Sequence, residues 1–165
     1  MNTVRNSRNQ RNLLGHKNDK KRKQISQGMR SIGGKTRFPS WKDPKIEERK
    51  LTEYYWLVHH AKNLKLGRYT DIGTFTYINA KNGVVVEDGV QIGSHCSIYS
   101  VSTIDGKEGQ VILKKNCKIG THSVIMPGVT VGENAMVGAM SFVNKDVSPN
   151  TVVAGIPARK LQIKK

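Results

Sequence analysis

Residues 113–148 read L-K-K-N-C-K (113–118), I-G-T-H-S-V (119–124), I-M-P-G-V-T (125–130), V-G-E-N-A-M (131–136), V-G-A-M-S-F (137–142) and V-N-K-D-V-S (143–148). Each block of six opens on an aliphatic residue: Leu113, Ile119, Ile125, Val131, Val137 and Val143. The fifth place of each is compact: Cys117, Ser123, Val129, Ala135, Ser141 and Val147. Neither a helix of period 3.6 nor a free strand of period 2 repeats apolar residues at every sixth place for so long. A fixed six-residue period is the mark of a parallel β-helix. Three blocks make one triangular coil, with the aliphatic residue inside and the small residue beside it at the corner. Coils stack at about the strand spacing of 4.8 Å, so backbone groups pair between coils.

The same phase is present upstream. Leu66, Ile72, Ile78 and Val84 hold it, with Thr70 and Thr76 in the small place. It slips by two at residues 83–86 and resumes as Val86, Ile92, Ile98 and Ile104, with Val90, Cys96 and Ser102. Ile104 to Leu113 is a longer step, and its extra residues fall in D-G-K-E-G (105–109). A solenoid accepts an insertion where it loops out of a corner, so a loop is expected to leave the coil near 105–110. Such excursions are favoured places for function. Pro149 ends the last coil.

Composition agrees with a solenoid. Hydrophobic residues make up 36% of the 165 and aromatics 6%. That is thin for a globular core and sufficient for one aliphatic column per face. The formal net charge is +16, and residues 1–50 hold 15 Lys+Arg against 4 Asp+Glu, a net of +11. Residues 1–42 are polar and basic, densest at Lys20-Lys21-Arg22-Lys23, and read as a disordered tail. Its charge suits nucleic acid or an anionic surface. Aromatics are not interleaved with it, so specific base stacking has no support. No apolar run of about 20 residues exists, so nothing spans a membrane as a helix; with no signal peptide visible, the expected location is cytoplasmic.

Residues 43–62 carry helix signals. Asp43-Pro44 is an N-cap acid with proline at the first helical position. Leu51, Tyr54, Tyr55 and Val58 follow at helical spacing. A capping α-helix over 44–61 is predicted, closing the first open sheet edge, with His59 and His60 at its end. Cys96 and Cys117 both occupy small fifth places, 21 residues apart. That allows stacking on neighbouring coils, and the reading adopted is two reduced packing residues.

The strings I-G-T-H-S-V-I-M-P-G-V-T-V-G, V-G-A-M-S-F-V-N-K-D-V and A-G-I-P-A-R-K-L (154–161) resemble the hexapeptide-repeat acyltransferases, which include galactoside, maltose and serine O-acetyltransferases and sugar acetyltransferases. The resemblance covers residues 66–161. It implies an all-β, left-handed parallel β-helix over 63–165, a homotrimer, and active sites between neighbouring subunits. It also implies acetyl-CoA as acyl donor, with no metal required. Carried over by position, Thr121 and Ala139 contact pantetheine, Asn144 and Lys145 lie farther along the groove, and Arg159 with Lys160 meets the nucleotide phosphates. The acceptor implied is a hydroxyl or amine of a sugar or nucleotide-sugar, in glycan or polysaccharide synthesis.

One departure concerns the base. Family members with a hydroxyl acceptor carry a histidine just before the looped-out segment, and Thr103 stands at that place here. Threonine is no general base, and an alcohol is a poor nucleophile until its proton leaves. His95, one block earlier, is the candidate base; His122, in the matching place of a later block, reads as groove lining. Asp105 and Thr103 are candidates for acceptor contact, with Asp105 equally a turn-former before glycine. Two other readings stand beside transfer. One is a non-catalytic scaffold with an anion-binding tail. The other is a zinc enzyme of the carbonic-anhydrase kind, which needs three convergent histidines.

Overall fold

The computed structural model describes residues 40–162. The expectation for the basic tail therefore lies, over residues 1–39, outside the described residues. At its end the reading needs correction. Trp41 is half-buried: its indole N–H donates to the carbonyl of Thr70 at 2.8 Å, and its ring sits 5.7 Å from Tyr69.

From there the chain winds as a triangular parallel β-solenoid with three flat faces. The first face stacks Leu57–His59, Tyr77–Asn79, Ser97–Tyr99, Val124–Ile125 and Phe142–Val143. The second stacks Leu64–Leu66, Val84–Val86, Val111–Leu113 and Thr130–Val131. The third stacks Asp71–Ile72, Gln91–Ile92, Lys118–Ile119, Met136–Val137 and Val152–Ala154, and Arg159–Lys160 returns antiparallel on the last of these. The register aligns the six-residue phase between coils: Val58↔Ile78↔Ile98↔Ile125↔Val143 on the first face and Ile72↔Ile92↔Ile119↔Val137↔Val153 on the third. All ten are buried. Burying one such aliphatic side chain contributes about 1.5–3 kcal/mol, and the ladders use the backbone groups that this burial takes from water.

The compact fifth residues are buried at the corners as expected, Ser102 excepted, which is half-buried. The polar ones find partners there. Thr76 Oγ1 donates to Gly93 O at 2.9 Å, and Ser141 Oγ donates to Gly138 O at 2.6 Å. Among the described residues no buried side-chain nitrogen or oxygen lacks a partner.

Departures from an 18-residue coil all fall at the corner after the first face. That corner holds a 3₁₀ turn, Ala61–Asn63, in the first coil and residues 80–83 in the second. In the third it holds the looped-out segment. There Val101–Ser102 and Lys107–Glu108 pair as a small antiparallel hairpin. Ile104 is therefore out of the aliphatic phase and 99% exposed, at the hairpin tip rather than in the core. Glu108 ties the hairpin to the coil below: its carboxylate accepts from Asn82 Nδ2 at 3.0 Å and lies 3.7 Å from Lys81 Nζ.

The predicted capping helix is absent. Residues 48–55 run through two turns up to the strand Leu57–His59, with an antiparallel bridge between Leu51 and Leu57. Leu51 and Tyr55, two members of the supposed stripe, are 56% and 59% exposed. The buried residues are Thr52, Trp56 and Val58, which is the spacing of the coil and not of a helix. Residues 52–58 thus already belong to the repeat, with bulky Trp56 in a place filled elsewhere by Ser, Thr or Cys. Trp56 closes the open end of the core. Arg49 N donates to Val58 O at 3.0 Å and covers the exposed strand edge. Glu48 accepts from the backbone N–H of His60 and Ala61 at 2.9 and 2.8 Å, so His60 sits in a left-handed turn rather than at a helix end.

Cys96 and Cys117 stand in different corner columns. Cys96 is in line with Thr76 and Ser123, and Cys117 with Val90 and Ala135, so the two do not stack; both are free and buried. Burial pushes the Cys117 thiol up to about 12 and raises that of Cys96. Iodoacetamide at pH 8 is expected to leave both unmodified in the folded protein and to label both in denaturant. For Cys117 the thiolate fraction falls roughly a thousandfold relative to a free cysteine. Mass spectrometry of the native protein showing rapid labelling of either residue would contradict the packing described.

Candidate active site

The corner between the third and first faces has an unusual surface. At each coil one residue takes a left-handed φ near 60°: Tyr55, Phe75, His95, His122 and Met140. The corner between the second and third faces uses the same conformation, but there Tyr69 takes it in the first coil and Gly89, Asn116, Asn134 and Asn150 take it in the later ones. Glycine and asparagine tolerate that region; aromatic, histidine and methionine side chains enter it at a cost. The costly corner is also exposed, with Phe75 and Met140 both largely in water. Strain retained beside bulky exposed side chains is a pattern found at functional sites.

The residue before each of the last four is small, and only Tyr55 follows a bulky one, Tyr54. Ser94, Thr121 and Ala139 follow one another along the edge, where successive coils come close. A Cβ placed on Gly93 would lie 2.5 Å from Thr121 N, and one on Gly120 would lie 2.3 Å from Ala139 N. Beside this column the imidazoles of His95 and His122 lie face to face, 4.7 Å apart and 4° from parallel, with Phe75 5.3 Å beyond His95. Thr121 Oγ1 donates to Ser94 O at 2.6 Å and lies 3.0 Å from His122 Nδ1. Thr121, Ala139, His95 and His122 are thus on one edge, all solvent-accessible.

A second group gathers at the end of the solenoid. Asn144, Lys145, Arg159 and Lys160 line a cleft of about 270 Å³ with Val143, Val147, Val153 and Ala158. The return strand brings the two pairs together: Ala154↔Arg159 and Val153↔Lys160 are in register, and Ala158 N donates to Phe142 O at 2.8 Å. Arg159 Nη1 donates to Ala158 O, and its side chain is otherwise open to solvent. Three basic side chains facing one cleft suit a polyanion. Asp146 also lines the cleft, but its carboxylate is engaged by Thr130 N at 2.7 Å.

The acceptor candidates are elsewhere. Thr103 and Asp105 sit on the hairpin turn, exposed. Asp105 is already engaged. The ammonium of Lys107, 2.8 Å away, and then the Ser102 hydroxyl hold its carboxyl down to about 2. Within one chain the structure does not bring these residues to His95. The hairpin leaves the opposite end of the first face, beyond the strand Ser97–Tyr99, a separation on the order of 15 Å at about 3.3 Å per residue. No group of three His, Cys, Asp or Glu side chains able to hold a metal ion occurs among the described residues. The reading of residues one by one missed the contact between Thr121 and His122. The signal was present as a hydroxyl directly before an imidazole in I-G-T-H-S-V.

Residues 110–145 match the family described as bacterial transferase hexapeptide (six repeats). The described coils are a solenoid of hexapeptide repeats. Galactoside O-acetyltransferase of Escherichia coli is 48% identical over 52 residues, 32% of this chain and 26% of that protein. Serine acetyltransferase of Buchnera aphidicola is 28% identical over 136 residues, 69% of this chain and 51% of that one. Among solved structures, a hexapeptide-repeat acetyltransferase of Vibrio cholerae complexed with acetyl coenzyme A superposes with a TM-score of 0.61 at 28% identity, over 65% of this chain and 63% of that one. The chain thus spans about a quarter to a half of these curated relatives. No helix of the described residues is long and apolar enough to cross a membrane.

Proposed function

We propose that the protein transfers an acetyl group from acetyl-CoA to a hydroxyl or amine of a sugar or nucleotide-sugar. The observation that carries this reading is the presence, on one solenoid, of a narrow edge of small residues and of a basic cleft at its last coil. Ser94, Thr121 and Ala139 leave main chain open beside the His95–His122 pair, and Asn144, Lys145, Arg159 and Lys160 line a cleft at the last coil. A long, thin donor with a polyanionic end fits that sequence of surfaces. Pantetheine would lie along Thr121 and Ala139, where a larger side chain would hold it off the backbone. The nucleotide phosphates would meet Arg159 and Lys160 through charge-assisted hydrogen bonds. A Vibrio cholerae relative of the same fold solved with acetyl coenzyme A supports the donor.

Chemistry then needs a base to take the acceptor's proton as its oxygen or nitrogen attacks the thioester carbonyl. The histidine pair is beside the donor edge, while Thr103 and Asp105 are on the far side of the face. A homotrimer reconciles the two, since a neighbouring copy's hairpin can then approach this copy's histidines. Sedimentation of the full chain tests that arrangement: a monomer at micromolar concentration contradicts it. The location consistent with use of acetyl-CoA is the cytoplasm. The role of the tail, residues 1–39, is left to a deletion: acetyl-CoA binding is expected to survive its removal.

Calorimetry with acetyl-CoA tests the donor. Binding is expected, and none at about millimolar ligand, a standard free energy weaker than about −4 kcal/mol, rules the reading out. Arg159→Ala combined with Lys160→Ala is expected to raise the Kd for acetyl-CoA by roughly tenfold or more and to flatten its salt dependence. The Kd for a truncated pantetheine thioester is expected to stay the same. An equal loss for both donors would place the two residues outside phosphate contact.

A further inference from the structure

We infer that His122, and not His95, is the general base of this site, held in its basic tautomer by Thr121. The inference rests on the acyl-transfer reading above and follows from counting protons. A threonine hydroxyl has one hydrogen to donate and lone pairs to accept with. Thr121 Oγ1 lies 2.6 Å from the carbonyl oxygen of Ser94. Two oxygens that close are bridged by a hydrogen, and a carbonyl has none, so the threonine proton points at Ser94 O. The same hydroxyl oxygen lies 3.0 Å from His122 Nδ1. With its proton committed, it accepts there, and Nδ1 carries the hydrogen. In the neutral ring Nε2 then holds a bare lone pair.

The chain Ser94 O, Thr121 Oγ1, His122 Nδ1 has the parts of an oriented base: an acceptor that fixes the hydroxyl, a hydroxyl that fixes the ring, and a free nitrogen on the solvent side. The backbone holds it in place, since His122 N donates to Ser94 O at 3.0 Å and Met140 N donates to Thr121 O at 2.9 Å. His95 has ring contacts to Phe75 and His122, and among the described residues no hydrogen bond orients its nitrogens. It packs flat against His122 and limits that ring's rotation, which makes His95 a positioning residue. His122 also adjoins Thr121 and lies one coil from Ala139, where the donor's arm is placed.

The step balances as follows. His122 Nε2 takes the proton from the acceptor O–H or N–H as that atom attacks the thioester carbon. A C–O or C–N bond forms and the C–S bond breaks. The departing sulfur receives the proton from His122, giving free CoA thiol and neutral imidazole.

Long-range ¹H–¹⁵N NMR on the full chain reads the tautomer, with assignments from His122→Gln and His95→Gln. The proton is expected on Nδ1 of His122 at a pH where the ring is neutral. Thr121→Val is expected to abolish that bias and Thr121→Ser to keep it. In activity, His122→Gln is expected to lower kcat by about a hundredfold or more, with the acetyl-CoA Kd changed by less than about threefold. His95→Gln is expected to cost at least about tenfold less than His122→Gln. A proton on Nε2 of wild-type His122, or a larger kcat loss for His95→Gln than for His122→Gln, overturns the assignment. The tautomer decides the matter whether or not an acceptor has been found. Failure of the wild type to bind acetyl-CoA sinks the transfer reading instead, and calorimetry reports that separately.

Discussion

Ala139→Trp is expected to abolish acetyl-CoA binding while leaving the fold intact. Ala139 is exposed on the edge between the third and first faces, directly after Gly138 and before the left-handed Met140. Its side chain points away from the core, so an indole added there meets solvent and not the aliphatic columns. Surface substitutions of this kind usually change stability by less than about 0.5 kcal/mol. The donor's arm, in contrast, is proposed to lie against the main chain at this point, and an indole occupies the space it needs. A loss of more than about a hundredfold in affinity, about 2.7 kcal/mol, is expected by calorimetry, with the same melting temperature within a few degrees. Ala139→Ser is the control, since it adds one atom and keeps the edge low. Wild-type affinity in Ala139→Trp would move the donor off this edge altogether, and with it the proposed role of Thr121.

The coil was legible because its rule is one-dimensional. Leu113, Ile119, Ile125, Val131, Val137 and Val143 had to face inward if the period was six, and each is 3% exposed or less. The same rule misled where a bulky residue filled a small place. Trp56 sits where Thr76, Cys96, Ser123 and Ser141 sit in later coils, so residues 52–58 did not look like a repeat. Their aromatic neighbours happened to fall at helical spacing. Tyr55 is in fact one rung of the exposed corner column, which propensity does not predict because tertiary context fixes its left-handed φ. Ile104 kept phase by number alone: the corner insertion begins before it, and the hairpin carries it out to solvent. The proposed donor contacts were nominated from local strings, and the fold places Asn144 and Lys145 in one cleft with Arg159 and Lys160. The case for His122 as the proposed base was not legible there, because it depends on a hydroxyl proton directed at Ser94 O, 27 residues away in sequence.

Gly120→Ala is expected to destabilise the solenoid by about 3 kcal/mol or more, at the upper end of what overpacking costs. The reason is steric and not conformational. Gly120 is not among the residues with a left-handed φ, so alanine is unstrained by backbone angle alone. The added Cβ would stand 2.3 Å from Ala139 N and 2.7 Å from both Ala139 Cα and Gly138 C. These are backbone atoms of the next coil, and they have no rotamer by which to move aside. Relief requires parting the two coils at this corner. The bonds that hold them are Gly120 N to Val137 O at 2.8 Å and Met140 N to Thr121 O at 2.9 Å. Lengthening them exposes backbone groups that have no other partner, which adds the cost of unmet hydrogen bonds to the clash. Gly106→Ala supplies the contrast. Gly106 has φ 65° at the hairpin tip and no atom within 4 Å of an added Cβ, so its cost is the conformational one, about 1 kcal/mol. Denaturant unfolding of both variants separates the two terms. If Gly120→Ala is no less stable than Gly106→Ala, the coils are not in contact at the edge proposed to hold the donor.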